Sequence, residues 1–168
     1  MRRSALAAVL LASAVLAAVA LGSGRAATVS LRSTSLGRVL VAANGHTLYM
    51  FTADKTNASG CYGACAGIWP ALVASGKPSA GSGIKASLLG TSKRHDGKLQ
   101  ITYGGHPLYF FAQDTKAGQV NGEGINHFGG HWWVVSAAGV AVTRAPVVSP
   151  PSYTTPTTTS SGYGRYKP

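Results

Sequence analysis

Acidic residues are nearly missing from this chain. Asp54, Asp96, Asp114 and Glu123 are its four carboxylates, set against 15 Lys and Arg in 168 residues. Cysteine is as scarce, with Cys61 and Cys65 alone, spaced C-x-x-x-C. That spacing is neither the C-x-x-C of a redox pair nor the C-x-x-C-H of haem attachment. No G-x-S-x-G, phosphate-binding loop or H-E-x-x-H occurs, so the sequence carries no signature of a serine hydrolase, a nucleotide-binding enzyme or a zinc protease. No basic helix or aromatic–basic stripe is present, which argues against nucleic acid as a partner.

The N-terminus has the form of an export signal. Arg2 and Arg3 precede an uncharged apolar run over 5–21, and Gly24-Arg25-Ala26 places small residues for cleavage after Ala26. Cleavage after Ala20, or retention of the segment as an anchor, is the alternative. The run is too short and Ala-rich for a confident membrane span, which takes about 20 strongly apolar residues. With no Cys near the cleavage region, there is no site for N-terminal lipid attachment. Loss of residues 1–26 removes three of the 15 basic residues, leaving 12 against four acids and a net charge of +8. Such a balance attracts polyanions such as anionic cell-wall polymers or lipid headgroups. The lysines are spread along the chain, however, which favours a merely solvated basic surface. Anionic cell-wall polymers or another envelope protein are the candidate partners. Residues 27–145 form one domain's worth of chain. Residues 146–168 are rich in Pro, Thr and Ser without apolar periodicity, and are expected to be disordered.

What the chain does have is an internal repeat. Residues 37–54 (GRVLVAANGHTLYMFTAD) and 97–114 (GKLQITYGGHPLYFFAQD) share seven of 18 positions at an offset of 60. A weaker echo at offset 63 pairs Gly67, Trp69 and Gly76 with Gly130, Trp132 and Gly139. A repeat of this size implies one structural unit used twice, each copy burying a face against the other. Copy one covers about 37–76 and copy two about 97–139.

Asn44-Gly45 and Gly104-Gly105 interrupt β-rich runs and predict two-residue hairpin turns. In the first hairpin this register sets Ala43 against His46, Val41 against Leu48 and Val39 against Met50. Leu40 then faces Tyr49, and Arg38 faces Phe51. Further strands are expected at 132–136 and 139–143, turning at Ala137-Ala138-Gly139, and 84–90 reads as a short helix or edge segment. The fold expected is mainly β: two pseudo-equivalent β-hairpin repeats packed into one small domain with Gly-rich loops.

The chain resembles bacterial secreted-repeat proteins, often labelled predicted lipoproteins, that carry a Tyr-x-(Phe/Trp/Tyr)-x-x-Asp motif. The motif stands here as Tyr49, Phe51 and Asp54 and again as Tyr109, Phe111 and Asp114. Cys61, Cys65, Ala66, Trp69 and Pro70 match the family's Cys…Cys-Ala…Trp-Pro stretch. The resemblance covers about 35–142. It implies an envelope or secreted location and no established activity. The absence of a lipid-carrying Cys is a departure.

Several residue sets are candidates for chemistry. Cys61 and Cys65, an even count in an exported chain, are expected to form a disulfide shaping the loop before Trp69-Pro70. His46, His106, His127 and His131, alone or with the cysteines, are the candidate Zn or Cu ligands of a metal- or redox-binding alternative. His127 and His131 have helical spacing, but two intervening glycines argue against a helix. Asp54 and Asp114 invite a hydrolase reading. Their equivalence favours a structural role instead, each accepting backbone N–H bonds and closing the loop after its hairpin. Glu123 is left unassigned. Tyr49, Phe51, Trp69, Tyr109, Phe111, Trp132 and Trp133 could form a sugar-stacking platform but read better as core. Trp132 or Trp133 is the expected exposed member, since strand neighbours face opposite ways. The resulting expectation is a non-enzymatic envelope module, for binding or structure, without a cofactor.

Overall fold

A computed structural model of the chain describes residues 27–74 and 76–143. The expected signal segment and Pro/Thr/Ser tail lie outside the described residues. Within them the protein is mainly β, and each copy begins one strand before the visible repeat. Strand β1 (Thr28–Thr34) pairs antiparallel with β2 (Gly37–Ala42) from Thr34↔Gly37 to Val29↔Ala42. Sixty residues on, β6 (Leu89–Lys93) pairs the same way with β7 (Leu99–Tyr103), from Lys93↔Leu99 to Leu89↔Tyr103. Both opening strands are polar, and each buries a single residue, Val29 in β1 and Ser92 in β6. Only Val29 and Leu31 of β1 alternate, too short a pattern for a hydrophobicity reading to single out, and β6 has none. A 3₁₀ turn at Ala86–Leu88 leads into β6, so the 84–90 segment is helical turn first and edge strand after.

The two hairpin tips differ. In copy two, Tyr103 opposes His106 across Gly104 and Gly105, whose φ of 59° and 83° suit a two-residue turn, and β8 (His106–Pro107) follows. In copy one the loop is a residue longer. Ala42 N–H bonds His46 O at 2.9 Å and Gly45 N–H bonds Ala42 O at 2.8 Å. Of the loop residues only Gly45 has positive φ, at 81°. Asn44 instead accepts the His46 N–H on Oδ1 at 3.2 Å, a local bond that competes with the tight turn. The expected facing therefore slips by one: Val41 bridges Thr47, and Leu48 N–H reaches Leu40 O at 2.9 Å. Val39 pairs with Ser136 rather than Met50.

Beyond the hairpins the copies exchange strands. The chain after β3 (Tyr49–Phe51) passes through a short helix α1 (Ala64–Ile68) into β4 (Val73–Ala74), which pairs with β7 of the other copy. Copy two returns the exchange. After the short β9 (Asn126–His127), β10 (Gly130–Val134) pairs with β3, setting Trp132 against Phe51 and Val134 against Tyr49. Leu72 N–H reaches Leu108 O at 2.9 Å, and its counterpart Val135 N–H reaches Leu48 O at 3.3 Å. Chain through 139–143 forms only the Ala141–Val135 bridge after a turn over 137–139. The remaining strand, β5 (Ser79–Ala80), runs parallel to the start of β1. At the centre Tyr49 and Tyr109 exchange backbone hydrogen bonds of 2.9 and 3.0 Å. The two-fold relation between copies passes through this pair.

The core has two parts. One is aliphatic, with Leu40, Leu48, Met50, Leu72, Ile101 and Leu108. The other is aromatic and lies between the two motif segments. Among the described residues no helix is long and apolar enough to cross a membrane.

Candidate functional site

The repeated motif residues meet across the copies rather than within them. Tyr49 of copy one donates its hydroxyl to Asp114 Oδ2 of copy two at 2.5 Å. Tyr109 of copy two donates to Asp54 Oδ2 of copy one at 2.7 Å. Each second carboxylate oxygen takes a loop N–H: Gly60 on Asp54 at 2.7 Å, Asn121 on Asp114 at 3.0 Å. Each tyrosine oxygen has further neighbours, Gly122 N–H on Tyr49 at 3.2 Å, and Ser59 Oγ at 2.8 Å together with the Gln100 side chain beside Tyr109. Burial is the main influence on all four groups. It raises Asp54 and Asp114 above the usual carboxylate range, although their hydrogen bonds act in the opposite direction. Burial, reinforced by the facing carboxylate, pushes both tyrosine hydroxyls far above the ordinary tyrosine range. A neutral tyrosine donating to a carboxylate is the state this geometry favours.

Four aromatic rings run between the clasps in one continuous stack. Phe51 stacks on Trp132 at 4.1 Å, Trp132 on Trp69 at 4.0 Å, and Trp69 on Phe111 at 4.4 Å between centroids. The two Phe–Trp contacts again join opposite copies. Tyr49 and Tyr109 meet Trp69 and Trp132 edge-on, at 5.4 and 5.1 Å, the geometry that ring quadrupoles prefer. Gly122 is required by the closeness of this packing, since a Cβ there would lie 2.8 Å from Trp69 and 2.9 Å from Tyr49. Of the pair Trp132 and Trp133, one of which was expected to face outward, Trp133 is the outward member. Trp132 is fully buried, turned inward with the stack, while Trp133 is half-buried against the aliphatic core and stacks on His131. Of the seven aromatics considered as a platform, only Trp133 reaches solvent appreciably.

Cys61 and Cys65 form a disulfide. Cys65 sits in α1, whose last turn delivers Trp69 to the stack, and Pro70 supplies the carbonyl that accepts Phe110 N–H at 2.8 Å. A buried arginine fixes the same loop. Arg94 Nη1 donates to Ser59 Oγ at 2.8 Å and Gln100 Oε1 at 2.6 Å, and Nη2 donates to Cys61 O at 2.8 Å. Arg94 follows a polar strand and belongs to no motif, so nothing in the sequence singles it out. Glu123 accepts Val134 N–H on Oε2 at 2.7 Å and, burial dominating, is raised above the usual carboxylate range.

The histidine side chains make no hydrogen bond in this network, although His46 acts electrostatically on Asp114. His46 and His106 are half-buried at the hairpin tips, while His127 and His131 are exposed on the β9–β10 hairpin. Among the described residues no three His, Cys, Asp or Glu side chains are grouped to hold a metal ion. Both cysteine sulfurs are bonded to each other.

The chain matches a family model described as a secreted repeat of unknown function, over residues 30–73 and again over 90–136. The two matches begin 60 residues apart, the offset of the visible repeat, and each begins inside the opening strand, β1 or β6. No curated protein and no solved structure matches the chain.

Proposed function

Because the chain belongs to the secreted-repeat family of unknown function, its role has to be read from its own geometry, and we propose a non-enzymatic module of the extracellular envelope that binds anionic polymer. The carrying observation is the placement of the acids. Asp54, Asp114 and Glu123 are turned inward onto tyrosines and backbone N–H groups. The fourth, Asp96, lies 3.6 Å from Arg94 and 3.8 Å from Lys98. Lys55, Lys77, Lys85, Lys93, Lys98 and Lys116 are all exposed. The outer surface is therefore cationic with almost no compensating charge, which attracts polyanions and repels further copies of itself.

In this reading the Tyr and Asp motif is the fastening between the copies. Phe51, Phe111 and Trp69 fill the space between the fastenings, and the Cys61–Cys65 bridge and Pro70 shape the approach to Trp69. A hydrolase would need Asp54 and Asp114 free to face one substrate. Each is instead committed to a tyrosine of the opposite copy and a loop N–H.

The test is co-sedimentation with an anionic wall polymer and with a neutral glucan as salt is raised. Binding to the anionic polymer alone, falling steeply with salt, is the expected result. Equal binding to the glucan contradicts the proposal. So does an activity abolished by Asp54→Asn at unchanged stability.

A further inference from the structure

The copies share a scaffold but differ at the surface, and the difference centres on the disulfide loop of copy one. Arg94 has only 5% of its surface exposed. It ties that loop to the turn between β6 and β7 through Ser59 and the Cys61 carbonyl. The Tyr62 ring lies over its guanidinium, 4.3 Å from Cζ to centroid. The His95 ring stacks on Tyr62, 5.1 Å away and within 7° of parallel, and Tyr62 Oη accepts the His95 N–H at 3.2 Å. A cation–π contact and a stacked pair thus hold an exposed histidine rigidly against the loop.

Two open concavities flank this assembly. One, about 260 Å³, is lined by Lys55, Ser59, Gly60 and His95 between two alanines. The other, about 230 Å³, is lined by Pro70, Ala71, Arg94, Asp96 and Lys98 among others. Both are walled by the 94–98 turn, one together with residues just before Cys61 and the other with residues just after Cys65. Each has an exposed lysine at its rim. Asp96 on this face is already shared between Arg94 and Lys98, and Asp54, half-buried beside the first concavity, is committed to Tyr109 and the Gly60 N–H. His95, stacked on Tyr62, lines the first concavity and offers a ring surface on which a sugar can pack.

We infer that this face is the polymer site itself: an extended anionic glycopolymer lies across the disulfide loop, with charged units at Lys55 and Lys98 and a sugar against the Tyr62–His95 pair. This rests on the polyanion reading above and narrows it to one location and one ligand class. The disulfide and Arg94 act by positioning, since the guanidinium donors are spent on Ser59, Gln100 and Cys61. A rigid loop loses little entropy when it binds.

The experiment measures affinity of the full chain for two probes, a phosphodiester-linked and a uronate-linked glycopolymer, at about 0.15 M salt, where screening extends over roughly 8 Å. Lys55→Gln with Lys98→Gln is compared with Lys85→Gln with Lys116→Gln, which removes the same charge elsewhere. All four lysines are exposed, and thermal melts check that both variants stay folded. The first pair is expected to lose about tenfold in affinity for at least one probe, and the second about twofold or less. His95→Ala should weaken the same probe with no change in net charge. Equal losses from the two lysine pairs would overturn the site while leaving the polyanion reading standing. No binding of the unaltered chain to either probe would remove both.

Discussion

Trp69 and Trp132 lie face to face, their ring centroids 4.0 Å apart and their planes 3° from parallel. They come from equivalent places in the two copies, each on the segment that crosses to the other copy's hairpin. The contact is therefore made only when both exchanges are complete. It links strand exchange to core packing, and the Tyr–Asp fastenings close around it.

Removing either ring should cost about 3–5 kcal/mol, the usual loss for a buried Trp→Ala. The two positions separate under a milder change. Trp132 Nε1 donates to His127 O at 3.3 Å, whereas Trp69 Nε1 has no hydrogen-bond partner among the described residues. Trp132→Phe should thus be the more destabilising by about 1 kcal/mol, measured by urea unfolding.

Glycine substitutions should divide by position. Gly122→Ala drives a methyl into Trp69 and Tyr49 and should cost about 1–3 kcal/mol through overpacking. Gly67 lies in α1 with open space where a methyl would stand and no positive φ. Gly67→Ala should stabilise by about 0.5–1 kcal/mol through helix propensity. Thermal melts of the two variants should move in opposite directions.

The buried carboxylates set an unusual pH dependence. Asp54, Asp114 and Glu123 are raised in the fold, burial being the first cause of each. Between the unfolded and folded pKa values the native state binds more protons, so stability falls as pH rises through that window. Their contribution is fullest below the usual carboxylate range of about 4 and diminishes above it. Asp96, which is lowered, acts in the opposite direction from an exposed position. At the alkaline end Tyr49 and Tyr109 are also raised, so stability falls again once unfolded-state tyrosines ionise above about pH 10. Denaturation midpoints from pH 3 to 7 should fall for the unaltered protein. They should flatten in Asp54→Asn with Asp114→Asn. A midpoint rising steadily with pH in the unaltered protein would contradict the account.

The repeat, the mainly β fold and the disulfide were legible because they reside in identities and spacing: a 60-residue offset, Gly104-Gly105, and an isolated pair of cysteines behind a segment that reads as an export signal. The opening strands were not, because β1 and β6 each bury only one residue. Asn44-Gly45 predicted a tighter turn than forms because the Asn44 side chain has its own use for the His46 N–H. Hardest to see was the crossing. Sequence shows Tyr49 and Asp54 five residues apart in one motif, and nothing in that spacing says that each seeks the other copy. Arg94 and the Tyr62–His95 pair occur once each, so a repeat-based reading passes over them.

The central claim, that the motif fastens copy to copy, is tested most directly by double-mutant cycles on stability. Tyr→Phe and Asp→Ala are combined for Tyr49 with Asp114, Tyr109 with Asp54, Tyr49 with Asp54, and Tyr109 with Asp114. Crossed pairs should couple by about 1–3 kcal/mol and same-copy pairs by no more than about 0.5 kcal/mol. Coupling confined to the same-copy pairs, or absent from the crossed ones, would contradict it.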